Sequence, residues 1–369
     1  MREYLLVLVV AAATTYLLTP LARRLAVGIK AMAPVRDRDV HSIPTPRLGG
    51  LAIYGGILAA LVVARGLPTL SGTFISSSEP TAVLKAGLVI CLIGALDDRF
   101  ELDSLTKLGG QIAAAGVMVL GGVQLLWLPV PRYSVLSLSQ GQAVVITVLF
   151  TVIMINAVNF VDGLDGLAAG VVAIAAVAFF IYSYKLSVLN GYDVAAPPTL
   201  MTAALAGACL GFLPHNFDPA RVFMGDSGSM LLGLVLSSSV VTLTGQMDPN
   251  SKGITQVDLF PALVPLLLPV LVLAVPLVDL LLAVLRRSWA RRSPFSPDKA
   301  HLHHRLLEIG HSKRRAVLII YSWSALLAFG AVGLTTTNGP TTVLGVTAAL
   351  AVVALIVSNL PRLRARRSG

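Results

Sequence analysis

Charge is scarce in this chain. Only 12% of its 369 residues are Asp, Glu, Lys or Arg, about half the share usual in soluble domains, which excludes an ordinary water-solvated globule. Cysteine is scarcer still. The two thiols, Cys91 and Cys209, both fall inside apolar runs, so neither a disulfide framework nor a cysteine-based metal knuckle is indicated.

Hydrocarbon takes the place of charge: 56% of the residues are hydrophobic and the mean hydropathy is +0.82. Apolar stretches fall near 3–22, 48–65, 81–97, 106–127, 142–158, 163–183, 199–213, 229–246, 258–284, 315–334 and 341–360. Crossing a ~30 Å hydrocarbon core takes roughly 17–25 residues, so an all-α integral membrane protein with about eleven transmembrane helices is expected. The first stretch, Leu5 to Leu18, has no small-residue cleavage pattern after it and reads as a retained helix rather than a signal peptide. Residues 1–369 read as one polytopic domain, with a basic cytoplasmic loop at 285–314 and a basic tail at 361–369.

The net charge of +10 could serve nucleic acid. The basic residues, however, sit in short loops between apolar runs, which fits an anionic membrane surface instead. Placing the N-terminus outside puts 22 of the 28 Lys and Arg on the cytoplasmic side, with the C-terminus inside. Twelve of the 18 acidic residues share those loops. Topology requires no such acids, whereas a site for metal and polyphosphate does, so the active site is expected in the cytoplasmic loops.

Four segments carry the chemistry. Asp97 and Asp98 end the third stretch, where carboxylates complement a helix C-terminus poorly; a polar stop would explain one of them. Lys107, nine residues on, with Gln111 one turn later, offers a cation near the surface, either for phosphate or for orientation. In Asn156-Ala-Val-Asn159-Phe-Val-Asp162-Gly-Leu-Asp165-Gly, polar residues recur every third position at a junction of two stretches. They share a helix face while the helix lasts, and their oxygens are hard ligands suited to magnesium. Capping explains one or two of the four. Asp226, in Phe223-Met-Gly-Asp-Ser-Gly-Ser229, precedes an apolar run and is either a helix cap or a ligand at a helix start open to phosphate. Phe223 is either a lipid anchor or a base-stacking platform. Farther on, Arg286, Arg287, Arg291 and Arg292 precede His301, His303, His304 and Arg305. With no cysteine nearby, those histidines suit contacts to sugar or phosphate better than zinc.

Six ordered motifs resemble the polyprenyl-phosphate N-acetylhexosamine-1-phosphate transferases. They are His41 with Pro44-Thr-Pro-Arg-Leu-Gly-Gly50, Asp97-Asp98, Lys107 with Gln111, the Asn156 to Gly166 segment, the Phe223 to Ser229 segment, and His301-Leu-His303-His304. Within that superfamily the interrupted histidines and Arg47 look like the branch that transfers GlcNAc-1-phosphate from UDP-GlcNAc to undecaprenyl or decaprenyl phosphate. The sister branch, phospho-MurNAc-pentapeptide transferase, typically carries three contiguous histidines. The resemblance implies that Asp226 ligates magnesium, or manganese, with Asn159 a second ligand. It implies that Phe223 stacks on uracil with Asn216 nearby, that Lys107 holds phosphate, and that Asn156 joins the substrate contacts. Asp97 and Asp98 would act on the lipid phosphate, Asp162 and Asp165 would organise the site, and His301, His303, His304 and Arg305 would meet the sugar or diphosphate. Implied partners are UDP-GlcNAc, a polyprenyl phosphate, the bilayer of the plasma membrane and a second copy of the chain, as dimers are common in the superfamily; nucleic acid is not among them. A multi-span lipid transporter is the alternative from another class. It calls for midplane charges and inverted repeats, and the sequence offers only Asp279 deep in a stretch and no repeat.

Overall fold

A computed structural model describes residues 1–33, 44–130, 134–189, 191–245, 259–274, 311–336 and 339–365. His41, Asp279, the four arginines from Arg286 to Arg292, His301, His303, His304 and Arg305, and with them most of the basic loop and the end of the tail, lie outside the described residues.

The described chain is almost entirely helical: α1 (Arg2–Gly28), α2 (Gly49–Arg65), α3 (Ser71–Ser76), α4 (Glu79–Phe100), α5 (Ser104–Leu120), α6 (Gln140–Val161), α7 (Leu167–Tyr184), α8 (Ala196–Asn216), α9 (Gly225–Gly245), α10 (Leu259–Val272), α11 (Lys313–Thr336) and α12 (Pro340–Ala365). Eight of them, α1, α4, α6, α7, α8, α9, α11 and α12, are long and apolar enough to cross a membrane, and α2, α5 and α10 are shorter apolar helices. The protein is a multi-pass membrane protein. Two small antiparallel ladders add to the helices expected: β1 (Met32–Ala33) with β2 (Thr45–Pro46), and the hairpin of β3 (Trp127–Val130) and β4 (Ser134–Ser137). The stretch expected to run to 127 stops as a helix at Leu120, because Gly121 and Gly122 follow and Gly122 takes φ +91°.

Local chemistry sets the helix ends. Asp103 caps α5 by accepting from the backbone N–H of Leu105 at 2.9 Å and of Thr106 at 3.0 Å. Ser139 and Gln142 form a reciprocal capping box at the start of α6. Pro20 inside α1 has no N–H to give the Tyr16 carbonyl four residues back; His215 Nε2 donates to that carbonyl instead, at 3.1 Å.

The bundle is built around α9. Every residue of α9 from Ser227 to Gly245 is buried, surrounded by α2, α4, α6, α8 and α10. With no lipid face to fill, its sequence is small and polar for a span: Ser237, Ser238 and Ser239 return their hydroxyls to carbonyls three or four residues back, at 2.8, 2.8 and 3.2 Å. Hydroxyls tied to their own helix in this way add no unsatisfied donor to an apolar interior. Helix α12 sits at the opposite extreme, packed on α11 and otherwise facing outward.

Candidate active site

The site is assembled around the first turn of α9. Gly225 has φ +69°, and a side chain there would strike the Asp98 carboxylate. Gly50 and Gly94 lie so close to Ser227 and Gly228 that a Cβ on either would overlap their backbone. The strand-like segment before α2 then fixes the approach to α9: Phe223 N–H donates to Pro46 O at 2.8 Å, Gly49 N–H to Phe223 O at 3.0 Å, and Gly50 N–H to Met224 O at 2.9 Å. Three glycines from different parts of the chain thus let α2 and α4 close on one helix terminus.

The adjacent carboxylates of α4 go to different neighbours. Asp98 Oδ1 accepts from Asp226 N–H at 2.9 Å, and its Oδ2 accepts from Ser227 N–H at 3.1 Å and Ser227 Oγ at 2.9 Å. A residue 128 positions away therefore does the work of an N-cap, satisfying the orphan donors of α9 with a negative charge at its positive end. Asp97 turns instead toward α5. Its Oδ2 lies 2.8 Å from Lys107 Nζ, and its Oδ1 accepts from Leu102 N–H at 2.8 Å.

Lys107 Nζ also meets Asp226 Oδ2, so one ammonium sits between the carboxylates of Asp97 and Asp226. The other oxygen of Asp226 accepts from Asn159 Nδ2 at 2.6 Å, and that nitrogen also donates to Ser229 Oγ at 2.9 Å. One turn after Lys107 on α5 and one turn before Asn159 on α6, Asn156 Nδ2 donates to Gln111 Oε1 at 2.7 Å. The three-residue repeat on α6 therefore presents Asn156 and Asn159 to matching partners one turn apart on neighbouring helices.

After α6 the chain turns through Asp162 to Gly166. Asp162 stands at the helix end, where burial pushes its carboxyl up to about 8; Asp226 and Asp98 add to the rise and Arg47 opposes it. Asp165 Oδ2 accepts from Ala220 N–H at 2.9 Å. Asn216, 2% exposed, accepts from Gly166 N–H at 3.1 Å and donates to Val222 O at 2.9 Å. Asp165 and Asn216 thereby tie the turn after α6 to the loop that leads to Phe223, whose ring is half-buried.

Of the residues read from sequence, the structure brings Asp97, Asp98, Lys107, Asn159 and Asp226 into direct contact around one helix terminus. Asn156, Asp165 and Asn216 form the surrounding shell. Tyr321 belongs to it as well, and no motif pointed there. Its hydroxyl donates to the Gly166 carbonyl, and its ring fills the space that Gly170 leaves beside it. A tyrosine within an apolar run was the available signal, since a buried phenol needs a partner. Tyr321→Phe keeps the ring and removes one hydrogen bond, generally about 1 kcal/mol. It should lower the temperature of half-inactivation and reduce turnover several-fold, with the change in kcat exceeding that in KM; a thermal-inactivation series with steady-state kinetics checks it.

The donor set can be tested for a metal. Two carboxylates already converge on a cation, the Lys107 ammonium, and an amide joins them through Asn159. Among the described residues no three His, Cys, Asp or Glu side chains cluster as a protein-only cage. Hard divalent ions of the magnesium type need none, as they usually combine one or two carboxylates with substrate phosphates and water. The residues present fit such an ion.

The family model described as glycosyl transferase family 4 matches residues 80–244, the part that holds Asp97, Lys107, Asn159 and Asp226. The chain is 48% identical over 367 residues to decaprenyl-phosphate N-acetylglucosaminephosphotransferase of Mycolicibacterium smegmatis, covering 99% of this chain and 90% of that protein. It is 33% identical over 327 residues to the probable undecaprenyl-phosphate N-acetylglucosaminyl 1-phosphate transferase of Bacillus subtilis, covering 88% and 83%. To phospho-N-acetylmuramoyl-pentapeptide-transferase of Desulforudis audaxviator it is 30% identical over 328 residues, covering 84% and 90%. Similarity of this extent, over nearly the whole chain, places the chain in the polyprenyl-phosphate N-acetylhexosamine-1-phosphate transferase superfamily.

Proposed function

We propose that the protein transfers GlcNAc-1-phosphate from UDP-GlcNAc to a polyprenyl phosphate, with release of UMP. The observation that carries this reading is the convergence of Asp97, Lys107, Asn159 and Asp226 at the start of α9. The relatives supply the substrates. Identity of 48% to a decaprenyl-phosphate enzyme, against 30% to a pentapeptide transferase, favours GlcNAc over MurNAc-pentapeptide and decaprenyl phosphate as acceptor. In the cell the product would start a lipid-linked polysaccharide.

An oxygen of the acceptor phosphate attacks the β-phosphorus of the nucleotide sugar, the bond from that phosphorus to the bridging oxygen breaks, and UMP carries away the electron pair. Two anions must first be brought together, and Lys107 lowers that repulsion from its place between two carboxylates. Magnesium, or manganese, held by Asp226 with the amide oxygen of Asn159, would supply Lewis-acid neutralisation of the diphosphate. Asp97 is placed to take any proton left on the acceptor phosphate. Asp98 positions: it fixes the backbone of Asp226 and Ser227. Phe223 and the loop pinned by Asn216 and Asp165 suit the uracil end of the donor. Topologically, α2, α5 and α10 complete about eleven spans with the N-terminus outside and the C-terminus inside, in the plasma membrane. The start of α9 then faces the cytoplasm, where nucleotide sugars are made.

The test uses purified protein in detergent with a divalent cation and UDP-GlcNAc. UMP should appear only when polyprenyl phosphate is present, with GlcNAc-diphosphate-lipid as the co-product by mass spectrometry. Release of UDP instead would establish ordinary glycosyl transfer and overturn the reading.

A further inference from the structure

A second feature lies beside the Phe223 loop and takes no part in the chemistry above. A cavity of about 530 Å³ opens between the end of α1, the β2 strand and the segment Ala220–Val222. Arg23, Arg221 and His215 line it, with Pro20, Pro46 and Val222 among its apolar walls. No acidic residue is among the described residues that line it, and neither arginine has a carboxylate partner among the described residues. Asp218, close by in sequence, is engaged elsewhere: Arg314 Nε donates to its carbonyl at 2.8 Å and lies 3.3 Å from its carboxylate. The wall is braced by the α1 proline, since the Tyr16 carbonyl it frees takes His215 Nε2–H and the two rings lie 4.7 Å apart.

We propose that this cavity binds the phosphate-bearing headgroup of an anionic membrane lipid, apart from the site at Asp226. Two guanidiniums lining one cavity, neither with a carboxylate partner among the described residues, suit the planar, multi-oxygen geometry of a phosphate, and basic pockets between membrane helices are a recurrent way of holding anionic headgroups. The size favours a headgroup over a bare ion. Pockets for small organic molecules span roughly 300–1,000 Å³, and this one falls inside that range. The surroundings favour a lipid over a soluble anion. Pro20 and Arg23 belong to a helix whose neighbouring Leu17 and Leu21 are 67% and 54% exposed, so acyl chains have an apolar surface to follow from the cavity into the bilayer.

Native mass spectrometry of the full chain in neutral detergent, with equal amounts of dioleoylphosphatidylglycerol and dioleoylphosphatidylcholine, tests the proposal. The wild type should retain phosphatidylglycerol in preference by about tenfold or more, the scale expected for two charged contacts. Arg23→Gln with Arg221→Gln should abolish that preference, and each single variant should weaken it. Arg24→Gln, which removes the same charge one residue outside the lining, should leave it intact. All variants should elute as the wild type does on size exclusion. Retention by the double variant equal to wild type would overturn the site. So would complete displacement of phosphatidylglycerol by millimolar inorganic phosphate, which would make the cavity a free-phosphate site. Displacement by stoichiometric polyprenyl phosphate would assign it to the acceptor, and would likewise end the proposal.

Discussion

Asp226→Asn is expected to lower turnover by at least ~10³-fold, on the scale of the several kcal/mol of transition-state charge stabilisation that a metal site supplies. The substitution keeps size and shape, so the backbone bonds from Asp226 and Ser227 to Asp98 survive and α9 starts as before. What changes is the charge between Lys107 and Asn159. The ammonium keeps Asp97 alone, and the Asn159 amide nitrogen, which donates to Asp226 Oδ1 at 2.6 Å, loses a charged acceptor. Expression, detergent extraction and elution should match wild type, while UMP release at saturating UDP-GlcNAc falls to near background and raising magnesium restores little of it. Activity within a few-fold of wild type across magnesium concentrations would reduce Asp226 to a member of the helix start with no part in binding a cation.

Much of this arrangement was legible in the sequence because it is periodic or local. The spacing of Asn156 and Asn159 predicts one helix face, and in the structure that face meets Gln111 and Asp226. The eleven apolar stretches each contain one described apolar helix, though three of these are shorter than a full span. The limit lies in what side chains do across the bundle. Asp97 and Asp98 are adjacent in sequence, and the poor fit of acids to a helix C-terminus raises the question of what they serve without dividing it between them. The division follows from the helix itself: neighbouring residues point about 100° apart, so one faces α5 and the other α9. Nothing local says which helices lie there. Tyr321 is hidden for the same reason, its partner Gly166 being 155 residues away. Gly94 reads as an ordinary small residue of a span until the backbone of Ser227 is found against it.

The two carboxylates of α4 should therefore separate in a pH profile. Asp97 has Oδ2 against Lys107 Nζ at 2.8 Å, on the side where Asp226 also lies, and Oδ1 on the Leu102 N–H, whereas both oxygens of Asp98 are held by the start of α9 at Asp226 and Ser227. A phosphate monoester loses its second proton with a pKa of about 6. If Asp97 assists by accepting that proton, its help matters most while the acceptor is still a monoanion. Asp97→Asn should then be most impaired near pH 6 and recover part of its rate by about pH 8, as the dianion that needs no base becomes the dominant acceptor. Asp98→Asn has a different defect. An amide can offer α9 one acceptor oxygen but presents N–H groups where the second oxygen was, so it faces donors with a donor and leaves part of the helix start unsatisfied. Its rate should fall by roughly one to two orders of magnitude, the loss expected when about 1–3 kcal/mol of supporting interaction goes, and the fraction lost should be the same from about pH 6 to pH 8. Its temperature of half-inactivation should drop as well, while that of Asp97→Asn changes less. Initial rates of UMP release for both variants across that range, normalised to wild type at each pH, decide the matter. Recovery of Asp98→Asn with a flat profile for Asp97→Asn would exchange the roles, and a sugar phosphate trapped covalently on Asp97 in the absence of lipid would replace direct attack by a two-step route.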